Sequence, residues 1–198
     1  MPTFDSLKNE YVTLFNTCVP SAKSVVVIDS LVGRIVAGRA RYETVESELK
    51  VPWYFIGTIH MMECSCDFTK HLHNGDSLRA RTVKTPRGRP VVGNPPFTWE
   101  QSANDALVYE GFANASTWDI ATMLYRLELY NGMGYRRPGV GIHTPYLWSM
   151  SNHYVSGKYL EEKGADGKYH GVYHPEVVSK QCGAAVIIRQ MQLRKIIT

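Results

Sequence analysis

The sequence has few cysteines and no long apolar run. These two features exclude a disulfide-rich protein and a membrane-spanning protein. Four cysteines are too few for a disulfide framework in a chain of 198 residues. The most apolar stretch, residues 24–38, contains Asp29 and Arg34 and is shorter than the roughly 20 residues that a membrane span requires. The N-terminus also lacks the basic and then apolar segments of a Sec signal peptide. We therefore expect free thiols, no membrane insertion and synthesis in the cytoplasm.

The overall composition is that of an ordinary globular domain. Hydrophobic residues make up 44% and charged residues 20% of the chain, which excludes disordered, collagen-like and coiled-coil classes. A chain of this length removes roughly 70% of its unfolded surface from water on folding. We therefore expect a single domain over residues 1–198, and a monomer.

Positive charge is concentrated in two parts of the chain. The net charge is only +4, but residues 67–97 carry six basic and two acidic side chains, and residues 131–198 carry nine and four. Such segments favour a polyanionic partner, for which nucleic acid, teichoic acid and the peptide carboxylates of peptidoglycan all qualify.

Hydrophobic periodicity and capping signals predict an α+β fold that is predominantly α-helical. The predicted helices cover approximately residues 4–18, 21–49 (one long or kinked helix), 52–66, 98–110, 117–130, 145–149 and 175–193. Residues 78–92 alternate at their start and then turn, which predicts a small β-hairpin. A second turn is predicted at residues 164–167.

Glu63 is the only charged residue between Lys50 and Asp67, and it lies near the end of a helix that is otherwise apolar. Apolar surroundings raise the pKa of a carboxyl group because burial disfavours its charged form. A carboxyl group that keeps its proton near neutral pH can act as a general acid. The alternative is a structural glutamate that pairs with an arginine or a backbone amide.

Asp76 supplies a second carboxylate in a glycine-containing turn, and Thr82 follows six positions later. An aspartate in a turn most often does no more than form an Asx-turn. A glycosidase, however, needs one protonated carboxyl group and one ionised carboxylate. Together, Glu63 and Asp76 therefore suggest glycoside chemistry more strongly than either residue alone.

These motifs resemble those of the lysozyme-like superfamily, the bacterial and phage muramidases and lytic transglycosylases. Residues 59–65 (IHMMECS) are similar to the signature of the catalytic glutamate at the end of a buried helix, with Cys64 interposed. Asp76 and Thr82 are similar to an Asp and Thr pair that phage-type lysozymes carry in a following hairpin. Residues 129–134 (LYNGMG) are similar to the Ala-Tyr-Asn-Ala-Gly segment of lytic transglycosylases.

The resemblance covers residues 52–159 and implies a lysozyme-like fold whose small β-hairpin lines the cleft. It implies cleavage of the β-1,4 bond between N-acetylmuramic acid and N-acetylglucosamine in peptidoglycan. Glu63 would be the general acid, Asp76 would stabilise charge or activate water, and Thr82 would orient that water. The resemblance implies no cofactor, no metal and no nucleic-acid partner. Because the Gly-Leu-Met-Gln motif of many lytic transglycosylases is missing, hydrolysis and transglycosylation both stay open.

Aromatic and amide side chains would complete the sugar site, since flat rings with polar tips suit pyranose rings. Each of these aromatic residues could instead belong to the core. The predicted sugar-binding residues are Trp99, Tyr130, Asn131, Tyr135, Tyr146 and Asn152.

A wall-degrading enzyme without a Sec signal would be a phage endolysin released through a holin, or an effector delivered by a dedicated secretion system. Two other classes stay open. One is a non-catalytic module that binds the cell wall or nucleic acid. The other is a zinc protein that uses His60, Cys64 and Cys66, although the sequence has no Cys-x-x-Cys pair.

Overall fold

The structure is a computed structural model, and it describes residues 2–198. Within these residues the chain forms eight α-helices, one short 3₁₀-helix and one two-stranded antiparallel sheet, which confirms a predominantly helical α+β fold. The elements are α1 (Phe4–Asn16), α2 (Val25–Ala37), α3 (Arg39–Leu49), α4 (Trp53–Cys64), α5 (Trp99–Tyr109), α6 (Ile120–Asn131), the 3₁₀-helix (Gly134–Arg136), α7 (Pro145–Trp148), β1 (Lys158–Lys163), β2 (Tyr169–His174) and α8 (Ala184–Leu193). No helix among residues 2–198 is both long and apolar enough to cross a membrane.

The chain divides into two compact units. Unit 1 contains the residues up to Ile28 together with Ile120–Gln190, and unit 2 contains Asp29–Asp119 and Met191–Thr198. The four cysteines are free thiols, as predicted.

In unit 1, a buried ionic network joins α1, α6 and the 3₁₀-helix. The Tyr11 hydroxyl donates to the Glu128 carboxylate at 2.6 Å, and Arg136 donates to both oxygens of that carboxylate at 2.9 and 2.8 Å. Arg136 also pairs with Glu10 at 2.6 Å. Because Glu128 is only 1% exposed, these donors replace the hydration that burial removes. The network therefore fixes the end of α6 and the segment that follows it.

In unit 2, α4 occupies the centre, and ten of its twelve residues are buried. A side chain at Gly57 would come within 2.5 Å of Ile35, so glycine allows the close approach of α2. Trp99 donates its ring N–H to Nε2 of the fully buried His60 at 3.1 Å, and Tyr42 bonds to Nδ1 at 2.9 Å. Burial lowers the pKa of His60 to about 4, so this histidine is neutral in the core.

Several predicted local signals are confirmed. Thr98 and Gln101 form a capping box at the start of α5, and Gly132 has a φ of +91° directly after α6. The segment predicted as one long or kinked helix consists of α2 and α3, which meet at Gly38.

The prediction of a β-hairpin at residues 78–92 is wrong. This segment forms no strand, and the sheet lies instead in β1 and β2, paired from Lys158↔His174 to Lys163↔Tyr169 around the predicted turn at 164–167. Pro86 and Pro90 have no N–H with which to continue a strand ladder. The last helix also begins later than predicted, at Ala184.

Candidate active site

Glu63 lies in the last turn of α4 and is partly exposed, whereas its neighbours Met62 and Cys64 are buried. The helix ends with two consecutive left-handed residues, Ser65 at φ 56° and Cys66 at φ 58°. Their N–H groups donate to carbonyl groups of the last turn at 3.1 Å, which satisfies acceptors that a helix end leaves open. This cap turns the chain sharply, directly after Glu63.

The following segment returns to the end of α4. A Cβ atom at Gly75 would lie 3.3 Å from the Glu63 carbonyl oxygen, and Gly75 has a φ of +76°. Glycine is therefore favoured both by its backbone conformation and by the close approach. The turn that contains Asp76 thus packs against the backbone of Glu63, so the structure brings these two predicted catalytic segments together.

The Asp76 carboxylate accepts two backbone hydrogen bonds, from the N–H of Val83 at 2.8 Å and of Lys84 at 3.0 Å. The Lys84 ammonium lies 3.8 Å from its other oxygen. Burial raises the pKa of Asp76, but the two N–H donors, Lys84 and His71 outweigh it and hold the pKa below its ordinary value. Asp76 is therefore ionised at neutral pH.

Two histidines attach residues 67–97, which we call the anchored loop, to α5. His71 bonds to the Ser102 hydroxyl through Nδ1 and to the Ala80 carbonyl through Nε2, both at 2.8 Å. Because a carbonyl can only accept, the His71 proton resides on Nε2. His73 bonds through Nε2 to Asp105 at 2.8 Å. Both histidines therefore have structural partners.

Asp105 also receives the Arg89 side chain at 2.8 Å, so one carboxylate holds two parts of the anchored loop. Thr82 is 2% exposed, and its hydroxyl donates to the Pro86 carbonyl and accepts the Arg89 N–H at 2.9 Å. The only hydroxyl proton of Thr82 is thus used inside the loop. The contacts of Thr82 are those of a residue that shapes the loop, and they leave no proton to orient water.

Three predicted sugar-binding residues line one pocket in unit 1. The pocket has a volume of about 540 Å³, and its wall includes Asn131, Tyr135 and Tyr146. Asn131 ends α6, and Tyr135 belongs to the 3₁₀-helix held by Arg136. The last residue of α6 and the 3₁₀-helix therefore contribute an amide and a phenol side chain to one concave surface.

The other three predicted sugar-binding residues do not line this pocket. Trp99 is 1% exposed in the core of unit 2, where its ring packs against Tyr42 and His60. Asn152 accepts the Val19 N–H at 2.8 Å and donates to the Thr17 carbonyl at 3.1 Å, which ties two loops together. Tyr130 is half-buried at the end of α6 and is absent from the pocket wall.

Sequence reasoning missed five polar residues of the pocket wall: Arg137, Lys158, Tyr159, Ser179 and Gln181. Two of them begin β1, a strand that the sequence analysis did not predict. The predicted turn at residues 164–167 could have indicated this strand. A hairpin built around that turn places its first strand over residues that include Lys158 and Tyr159.

The residues of the zinc hypothesis do not form a metal site. Among residues 2–198, no group of three or more histidine, cysteine, aspartate and glutamate side chains could hold a metal ion. Both ring nitrogens of His60 have hydrogen-bond partners in the core, and burial raises the pKa of the Cys64 thiol to about 12.

Comparison with protein-family models, with curated proteins and with solved structures finds no match for this chain.

Proposed function

We propose that this protein cleaves the β-1,4 glycosidic bond between N-acetylmuramic acid and N-acetylglucosamine in peptidoglycan. The observation that carries the proposal is the packing of the Asp76 turn against the backbone of Glu63 at the end of α4. One partly exposed carboxyl group thus lies beside a segment whose carboxylate is held ionised. A protonated acid and an ionised partner are the two groups that glycoside cleavage requires.

In this mechanism Glu63 donates its proton to the glycosidic oxygen as the bond to the sugar breaks. Asp76 stabilises the positive charge that develops on the sugar ring, or activates the water that attacks it. Thr82 contributes by holding the anchored loop in place. If water is excluded, the 6-hydroxyl of the muramic acid attacks the anomeric carbon instead, its proton passes to the Glu63 carboxylate, and a 1,6-anhydro sugar forms.

The pocket of unit 1 supports a carbohydrate ligand. Its wall combines tyrosine rings with amide groups, the pairing of apolar faces and polar tips that suits pyranose sugars. A lysozyme-like fold is part of the same proposal, as is release of the protein to the wall as a phage endolysin or a secreted effector.

The basic side chains of the anchored loop fit an anionic wall. Arg79, Arg81 and Arg87 form no ion pair within residues 2–198. Arg81 and Arg87 donate to backbone carbonyls of the loop, but no acidic side chain pairs with them, so their charges are available to carboxylates or phosphates of a polymer.

The test is the clearing of a suspension of purified peptidoglycan by the wild type and by Glu63→Gln. We expect the substitution to reduce the rate at least about 100-fold, because a positioned general acid contributes on that order. Glu43→Gln is the matched control, since Glu43 is an exposed carboxylate in the same unit whose one ion pair lies on the surface of α3. This control should keep the wild-type rate.

Full activity of Glu63→Gln would contradict the proposal. Binding to peptidoglycan without any clearing by the wild type would favour the non-catalytic wall-binding module instead.

A further inference from the structure

The pocket of unit 1 carries positive charge that nothing in its own wall neutralises. Arg137 and Lys158 both contribute to the wall. Neither side chain forms an ion pair within the described residues 2–198, and no acidic residue lines the pocket. Two unpaired cations on a concave surface favour a ligand that brings negative charge.

Tyr135 adds a hydrogen-bond donor to the same wall. The residue is 9% exposed, and its phenolic oxygen accepts the Tyr159 N–H at 3.1 Å. Burial raises the pKa of Tyr135, so its hydroxyl keeps its proton. No carbonyl or carboxylate among residues 2–198 accepts that proton. A buried donor without an acceptor is unfavourable unless a ligand or water supplies one.

We propose that this pocket binds the acidic part of its saccharide ligand, a carboxylate in the peptide substituent of an N-acetylated sugar, through Arg137 and Lys158. The inference rests on the proposed function and names the feature of peptidoglycan that the pocket selects. Arginine and lysine supply charge-assisted donors for the carboxylate, and the Tyr135 hydroxyl donates to a neutral oxygen of the sugar. A neutral chitin-type oligosaccharide offers the second contact but not the first.

The experiment measures binding by calorimetry in the full chain with Glu63→Gln, which prevents turnover. The two probes are the disaccharide tetrapeptide of peptidoglycan and neutral tetra-N-acetylchitotetraose. We expect the parent to bind the acidic probe about tenfold more tightly, the ratio that corresponds to 1.4 kcal/mol. A disaccharide tetrapeptide whose carboxylates are converted to amides should bind like the neutral probe.

Lys158→Gln and Arg137→Gln should each remove most of this preference while affinity for the neutral probe stays within about twofold. Lys168→Gln is the matched control, since it makes the same change in charge at the turn between β1 and β2, outside the pocket wall. It should behave like the parent.

Equal affinity for the two probes, no saccharide binding, or an unchanged preference in both pocket variants would overturn the inference. If the wild type still cleaves peptidoglycan in that case, the proposed function stands and only the selection of acidic sugars is wrong. A preference that depends on Lys158 and Arg137 without any cleavage would instead overturn the catalytic proposal.

Discussion

The anchored loop and the hairpin formed by β1 and β2 are ordered in different ways. In the hairpin, backbone N–H and carbonyl groups pair across six residue positions, and most side chains remain exposed. In the anchored loop, side chains replace the ladder: His71, Asp76 and Thr82 each bond to backbone groups elsewhere in the same loop. Prolines interrupt this loop, so part of its backbone has no N–H to donate.

The difference has a chemical consequence. Hydrogen bonds between the two strands satisfy the backbone N–H and carbonyl groups of the hairpin without using its side chains. The Lys158 side chain of β1 can therefore contact a ligand. A loop fixed by buried side chains aims specific N–H groups at one point, and here two of them hold the Asp76 carboxylate. Preorganised donors of this kind stabilise an ionised group without further rearrangement.

The largest difference between the two segments should follow from removing one aspartate in each. Asp105→Ala should lower the free energy of unfolding by about 4 kcal/mol, because it leaves the buried His73 and the half-buried Arg89 without their shared carboxylate. Asp166→Ala in the hairpin turn should cost much less stability, because its contact with His170 is exposed to solvent. Urea denaturation measures both, and equal losses would contradict the contrast between the segments.

A fall in pH should lower the stability of unit 2 because His60 is buried in its neutral form. Its pKa in the folded protein is lowered to about 4 because burial disfavours the charged ring, so the unfolded chain binds the extra proton first as pH falls. Stability that is present above pH 6.5 should therefore decline by about 3 kcal/mol as pH falls to 4. His60→Gln should be less stable at pH 7 but should lack this part of the decline, whereas His170→Gln should retain it. Denaturation curves at pH 7 and pH 4 supply the comparison, and parallel declines in all three proteins would show that His60 is not responsible.

A smaller loss should result from Thr82→Val. The substitution removes a hydroxyl that donates to the Pro86 carbonyl and accepts the Arg89 N–H, so we expect a loss of about 1.5 kcal/mol. Thr85→Val makes the same change at an exposed position of the anchored loop and should change stability by less than about 0.5 kcal/mol. Thermal unfolding distinguishes the two, and similar values would mean that the Thr82 bonds do not hold the loop.

The smallest loss of stability should follow from truncating a side chain in the hairpin. Leu160 lies opposite Val172, and both side chains are more than one-third exposed. Leu160→Ala should cost about 0.5 kcal/mol in urea denaturation, because the backbone pairing is unchanged. A loss as large as that of Asp105→Ala would mean that side chains, and not the ladder, hold the hairpin together.

The sequence predicted those features that depend on neighbouring residues. The capping box at Thr98 and the left-handed Gly132 follow from local spacing, and both are confirmed. Partners that lie far apart in the chain left no such pattern. Nothing near His73 indicates Asp105, and nothing near Arg137 indicates that Lys158 lines the same pocket. Alternation at residues 78–82 indicated a strand, but the prolines that follow and the side-chain bonds of the loop decided the conformation.

The central claim is that Glu63 protonates a glycosidic bond, and mass spectrometry of digested peptidoglycan tests it most directly. The wild type should release fragments that end in muramic acid, either as a reducing sugar or in the 1,6-anhydro form, and Glu63→Gln should release neither. Muramic acid ends produced equally by both proteins, or cleavage confined to the peptide stems, would contradict the assignment of Glu63 as the general acid.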